Sequence, residues 1–235
     1  MVDNQPEELE ELAHVRSILH FAWEQAIVQE PALLIAHWHE LGPYPEILEY
    51  SAHPGWFAQA AARHHPEELV LSSMLAALVI PRGGRVLTEE LIHTLAEPPE
   101  FAFSDSVAVS TDPSLLTQLH AQTPADDAVE VGTADLDHVF VLCTKDGSPL
   151  AVAGWKVFQQ VVADIRVLVP PALRNKSLGA YAAAVAIGEA YDSGLVPQAR
   201  VRVGNSTALK LASKLGFRLL GTVSAAFPGE QTGPL

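Results

Sequence analysis

VVADIRVLVPPALRNKSLGAYAAAVAIGEAYDSGLVPQARVRVGNSTALKLASKLGF, residues 161–217, is the stretch whose reading decides the fold. Val161 to Val169 has the β-branched pattern of a strand, and Pro170 and Pro171 end it. Arg174-Asn175-Lys176-Ser177-Leu178-Gly179-Ala180 then opens a helix that runs to Ser193 and stops at Gly194. Leu178, Tyr181, Val185 and Ile187, with small alanines between them, make this helix apolar nearly all round, so it is expected to be buried. Arg200 to Val203 is a further strand. Gly204-Asn205-Ser206-Thr207-Ala208 starts a second helix with Asn205 as its cap, and Leu215-Gly216-Phe217 closes it. A helix that begins straight after a strand aims its first backbone N–H groups at one point. Arg174 and Lys176 add two cations there, and the turn suits a phosphate.

Charge places this stretch in an unusual setting. The 235 residues carry a formal charge of −14, which argues against nucleic acid as a partner, because phosphate backbones are bound by neutralising them. Yet residues 164–218 hold eight of the 14 Lys and Arg and only Asp164, Glu189 and Asp192 as acids, a local balance of +5, while residues 1–163 stand at −18. A basic segment inside an acidic body fits an anionic cofactor and a cationic substrate. Lys210, Lys214 and Arg218 are more simply read as the solvent face of the second helix. No apolar run reaches the ~20 residues of a membrane span, and none of the partners expected is a membrane. The acidic start, Met1 to Glu8, lacks a basic n-region, so a cytoplasmic location is expected. Cys143, the single cysteine, lies in an apolar strand pattern and reads as a buried structural thiol.

Working outward, residues 7–29 carry Leu12, Val15, Leu19, Ala22, Trp23 and Ala26 at helical spacing. The pattern then predicts a second helix from Ala32 to Leu41, a break at Gly42-Pro43-Tyr44-Pro45, a helix opening at Pro66, a turn at Arg82-Gly83-Gly84-Arg85 and a short helix from Thr88 to Leu95. Residues 1–98 thus read as a mainly helical segment, bounded by Glu97-Pro98-Pro99-Glu100. Beyond that boundary the period shifts towards two. A strand near Val107, a helix capped by Asp112, strands at Val139–Thr144 and Leu150–Phe158 joined by Lys145–Ser148, and a last strand at Phe217–Phe227 complete a domain over residues 99–229. Residues 230–235 are expected to be a disordered tail.

This order of elements, with the loop at 174–180 and the Asn-started helix, resembles the GNAT superfamily of acetyl-CoA-dependent N-acetyltransferases over roughly residues 100–227. The resemblance implies an α/β fold, a mixed and largely antiparallel sheet flanked by helices, with acetyl-CoA as co-substrate. The family's pyrophosphate signature, Gln/Arg-x-x-Gly-x-Gly/Ala, falls on Arg174, Ser177 and Gly179, with Ser177 in place of the first glycine. Asn175 tolerates a left-handed backbone and Lys176 supplies a point charge. The implied cofactor-binding set is Val167, Leu168 and Val169 for the pantetheine arm, Arg174, Asn175, Lys176, Ser177, Leu178, Gly179 and Ala180 for the phosphates, and Asn205 for the arm again. The family's general-acid Tyr, four residues before the Gly of Gly-Phe, is Ala212 here.

Amide formation needs a neutral amine and a proton for the leaving thiolate. Asp164, a carboxylate in an apolar strand, is the leading candidate for the base, and Glu130 the second; Asp164 could equally pair with Arg166 on the same face at i, i+2. Asp135, Asp137 and His138 read as turn residues. Eight of the ten histidines precede residue 94, but His37 and His39 would be parted by the predicted helix and His64 and His65 are adjacent, so no metal site is expected. The expected function is direct acetyl transfer to a small-molecule amine or a lysine-bearing substrate, and a homodimer is compatible with it. The competing class, motivated by Ser177 and Ala212, is a non-catalytic acyl-CoA-binding or regulatory module.

Overall fold

The structure, a computed structural model, describes residues 5–29, 33–39, 46–50, 55–101 and 106–228. The expected break at Gly42–Pro45 and the tail at 230–235 lie outside them. The chain divides into two compact units: Met1–Thr94 with Arg200–Ser206 and Leu219–Leu235, and Leu95–Ala199 with Thr207–Arg218. The first boundary falls close to the Pro-rich stretch at 97–100, but a single cut there does not separate the units, because the chain returns twice to the first.

In the first unit, α1 (Gln5–Gln29) buries Leu12, Val15, Leu19, Ala22, Trp23 and Ala26, the stripe its spacing predicts. The stretch expected as a helix from Ala32 to Leu41 is instead β1 (Leu33–Trp38), and all six of its residues are buried. A short, continuous apolar run between breakers serves a central strand as well as a helix, and here a neighbour on each side takes up its backbone groups. Those neighbours are β2 (Ile47–Tyr50) and β9 (Arg218–Phe227), both antiparallel to it. After α2 (Gly55–Ala61), α3 (Pro66–Leu69, with Pro at its start as expected) and α4 (Ser72–Val79), the stretch expected as a helix at Thr88–Leu95 is the end of β3 (Arg85–Thr94). Burial rises along it from exposed Arg85 to buried Ile92, His93 and Thr94, and pairing beside β9, not an alternating apolar pattern, makes it a strand. The strand order is β2-β1-β9-β3, and Leu33, Ile35, Phe57, Leu69, Leu75, Val79 and Ala226 form the core. On β1's continuation, burial first and the neighbouring His37 second hold the His39 imidazole below its ordinary pKa, against the smaller opposing pull of Glu46 and Glu67.

The second unit follows the expected order closely. It contains β4 (Val107–Ser110), α5 (Pro113–Ala121), α6 (Ala125–Val131), β5 (His138–Thr144), β6 (Pro149–Phe158), β7 (Val162–Leu168) and α7 (Leu178–Asp192). β8 (Val196–Arg202), up to Ala199, and α8 (Ser206–Lys214), from Thr207, complete it, with β8 starting four residues ahead of the expected Arg200. Asp112 caps α5 by accepting the Ser114 N–H at 2.8 Å, and Pro113 fills the first helical position. The order is β4-β5-β6-β7-β8. Every pair is antiparallel except β7 with β8, which are parallel, so the sheet is mixed as expected.

Alternation along β6 sends Ala151, Ala153 and Trp155 to α7 and Val152 to the opposite face, where Leu119 of α5, Val141 and Leu168 meet it. The alanines of α7 let the helix lie close on the sheet. Truncating its fully buried Ile187 to Ala would cost about 2–5 kcal/mol. Cys143 is a buried free thiol whose Sγ lies 3.4 Å from the Ala108 carbonyl, in keeping with a structural role. Among the described residues no helix is long and apolar enough to cross a membrane.

Candidate active site

The second unit contains a fork between two strands. β7 pairs with β6 along its whole length, from Phe158↔Val162 to Val152↔Leu168. Its parallel pairing with β8 covers only Val162, Ala163 and Asp164, and ends at Asp164↔Gln198. From Ile165 to Leu168, β7 therefore has β6 on one side and, among the described residues, an edge without a strand partner on the other.

The last rung of the fork is polar and buried. Gln198, 0% exposed, donates from Nε2 to Asp164 Oδ1 at 3.3 Å. Arg166 donates to Asp164 Oδ2 from Nε at 3.4 Å and from Nη2 at 3.3 Å, and its Nη1 donates to the Gly132 carbonyl at 3.0 Å. Of the two sequence readings of Asp164, the structure brings out the pairing with Arg166, and adds Gln198 as a second partner. Gly132 ends α6 at φ 69°, and a Cβ there would meet Arg166 Nη1 at 2.4 Å. Glycine is thus required twice, by backbone and by space.

Two turns beyond β7 comes the expected phosphate loop. Asn175 and Ser177 both have left-handed backbones, with φ of 63° and 60°. The serine adopts the conformation that the family's glycine would hold freely. Its carbonyl accepts the first bonds of α7, from Ala180 N at 3.0 Å and Tyr181 N at 3.1 Å. The N–H groups of Leu178 and Gly179 precede those bonds, at the positive end of the helix dipole. Gly179 also permits close packing, since a Cβ would come to 3.2 Å from Val169 Cγ2 and 3.5 Å from Val167 Cγ1.

The cations of the loop are not arranged as expected. Arg174 is committed within the protein: its Nε donates to the Val169 carbonyl at 3.1 Å and its Nη2 pairs with Asp127 of α6. Lys176 is exposed on the loop. Lys214, read from sequence as solvent decoration, reaches back from the end of α8 and donates to Ser177 Oγ at 2.8 Å. It is a third cation at the loop, and only the fold brings it there, 37 residues from its partner.

Val167 and Val169 are half-buried and pack with the α7 cluster, while Leu168 is buried on the opposite face. Ala180 is buried in the first turn of α7. Asn205 stands immediately before α8, exposed, with its N–H donated to the Arg202 carbonyl at 3.0 Å; it belongs to the first unit. Glu130 is exposed near the end of α6. Ala212 is buried in the core of the second unit, and Tyr181 lies edge-on to Phe101 at 5.0 Å. Gln198, Asp127 and Gly132 went unmarked in the sequence. For Gln198 the signal was an amide set between apolar Pro197 and Ala199, and for Gly132 a glycine directly after a short helix.

The acetyltransferase (GNAT) family model matches residues 104–217. No curated protein matches the chain. Among solved structures, the chain is similar to a GCN5-related N-acetyltransferase-like protein of Streptococcus suis. That likeness has 18% identity, covers 94% of this chain and 98% of that one, and gives a TM-score of 0.51. A GNAT-family protein of Novosphingobium aromaticivorans is 21% identical, with 63% of this chain and 69% of that one covered and a TM-score of 0.48. A GCN5-related N-acetyltransferase of Kribbella flavida is also 21% identical, with 66% and 64% covered and a TM-score of 0.48. At 18% identity the likeness to the Streptococcus suis protein is one of fold, and of these three only it extends to nearly the whole chain.

Proposed function

Because the chain belongs, over residues 104–217, to the GNAT acetyltransferase family, we infer that it transfers an acetyl group from acetyl-CoA directly to a primary amine. The observation that carries this reading is the turn into α7. There the Leu178 and Gly179 N–H groups, exposed Lys176 and the Lys214 ammonium gather at one loop of an acidic protein. This is a cradle for a pyrophosphate. The free edge of β7 beyond Asp164 supports the same reading, since Val167 to Val169 offer backbone groups to the pantetheine arm. Arg174, held by Asp127 and the Val169 carbonyl, fixes the loop's shape and contributes its charge from a distance.

Bound acetyl-CoA supplies a thioester carbonyl for the amine to attack; the C–N bond forms and the C–S bond breaks. Residue 212, an alanine, brings no acid to the leaving thiolate. Its proton then comes from water or from the nascent ammonium. Asp164 is engaged by Arg166 and Gln198, which leaves exposed Glu130 or solvent to receive the amine's proton. The acidic body favours a cationic acceptor, such as a polyamine, an aminoglycoside or a lysine side chain.

Ala212 and the commitment of Asp164 favour one competing reading, a module that binds acyl-CoA without turning it over. Titration calorimetry with acetyl-CoA, together with thiol release over a panel of amines, separates the two. Binding with thiol release on at least one amine is the expected outcome. Lys214→Glu should weaken binding by about 1–3 kcal/mol, the scale of a charge-assisted hydrogen bond. Binding without release on any amine favours the module, and absence of binding removes both readings.

A further inference from the structure

β1 and its continuation carry two imidazoles that acetyl transfer leaves unused. On a helix the i, i+2 spacing of His37 and His39 would part them; along a strand it sets both on one face. The β1–β2 register brings a third group to that face. His37 pairs with Leu48 and Trp38 with Ile47, so the next step sets Glu46 across from His39. One ligand atom from each of His37, His39 and Glu46 lies within 4.8 Å of the others. His37 Nε2 is 3.4 Å from Glu46 Oε2, and the two imidazole centroids are 4.9 Å apart.

His37 makes the cluster more than a coincidence of strand pairing. It is 1% exposed, and apart from the 3.4 Å approach of Glu46 to Nε2 neither of its ring nitrogens has a hydrogen-bond partner among the described residues. A buried polar group without a partner is rare and calls for an explanation, and an ion accepting the nitrogen lone pair provides one. Thr222, which pairs with His37 from β9, places its hydroxyl 3.2 Å from His39 Nε2. Such a contact fixes the ring and leaves its second nitrogen for an ion.

We propose that His37, His39 and Glu46 bind one divalent cation of the zinc class. Two imidazole nitrogens and one carboxylate oxygen suit zinc, whereas calcium and magnesium take oxygen ligands. Tetrahedral zinc at ~2.0–2.2 Å from each ligand sets donor atoms roughly 3.4 Å apart, closer than the present spread. The ion therefore draws in Glu46, whose side chain is 44% exposed, while buried His37 stays in place. Three protein ligands leave a fourth position to water, and the ion ties the start of β2 to the end of β1.

The test is a Zn²⁺ titration of the tag-free full-length chain against a chromophoric chelator, with Co²⁺ absorption as a reporter of low-coordinate geometry. One ion per chain is expected, with a rise in Tm that a chelator reverses. Glu46→Gln and His39→Gln should each weaken binding roughly tenfold or more, while His64→Gln, in the turn before α3, should not. His37→Gln alters a buried position and can fail to fold, so exposed Glu46 is the deciding position. Absence of stoichiometric binding, or a Glu46→Gln chain that binds zinc as tightly as the parent, overturns the site.

Discussion

Ser177 holds a left-handed backbone that costs a residue with a Cβ about 1–2 kcal/mol. It also occupies Lys214, whose ammonium would otherwise be free at the loop. Ser177→Gly should therefore raise stability by about 1 kcal/mol and leave acetyl-CoA binding equal or tighter, as read by thermal denaturation and by titration. Binding weakened tenfold, about 1.4 kcal/mol, would instead make the hydroxyl itself a phosphate ligand. Asp164 presents the reverse case, a residue read first for chemistry that the fold engages for structure. Asp164→Asn leaves the Arg166 guanidinium with a weaker acceptor, and a loss of about 1–3 kcal/mol in stability is expected, with turnover retained in the folded fraction. A drop of ~10²–10⁴ in kcat at unchanged Tm would return the carboxylate to the role of general base.

Among the elements, α6 and the turn after it hold the loop into α7 and the end of the fork in shape. Asp127 on the helix pairs with Arg174, and the carbonyl of Gly132 receives Arg166. Gly132→Ala should strain a left-handed turn and push the guanidinium from the fork, lowering Tm and weakening acetyl-CoA binding together. If Tm falls while binding is unchanged, the fork and the loop are not linked through this turn. At this scale the sequence is an uneven guide. The α7 loop, the Asp112 cap and the β5–β6 hairpin are legible because each is written in neighbouring residues. β1 is not, since a short buried run of five apolar residues and His37 satisfies a buried strand and a buried helix alike, and what decides between them is the strands alongside. The expectation that His37 and His39 point apart fails with it. Lys214 reads as solvent face because its partner, Ser177, lies on another element, where helical spacing has nothing to say.

For the molecule as a whole, the decisive fact is the path of the chain. β9 lies past the site in sequence, yet pairs with β1 from Leu33↔Ala226 to Trp38↔Gly221. A domain of residues 99–229, as expected from the sequence, would part β9 from this partner. A fragment 99–235 loses both β1 and β3, the strands on either side of β9, and should be poorly folded by circular dichroism, with β9 left unpaired. A fragment with a cooperative melt and intact acetyl-CoA binding would show that β9 tolerates the loss. The same pairing bears on how the protein is made. A ribosome delivers residues at roughly 5–20 per second, so β1 emerges on the order of 10–40 s before the strand that covers one of its edges. Through that interval a strand destined for complete burial has β2 alone beside it, and a nascent chain stopped short of residue 218 would be a client for chaperones even with the loop into α7 complete.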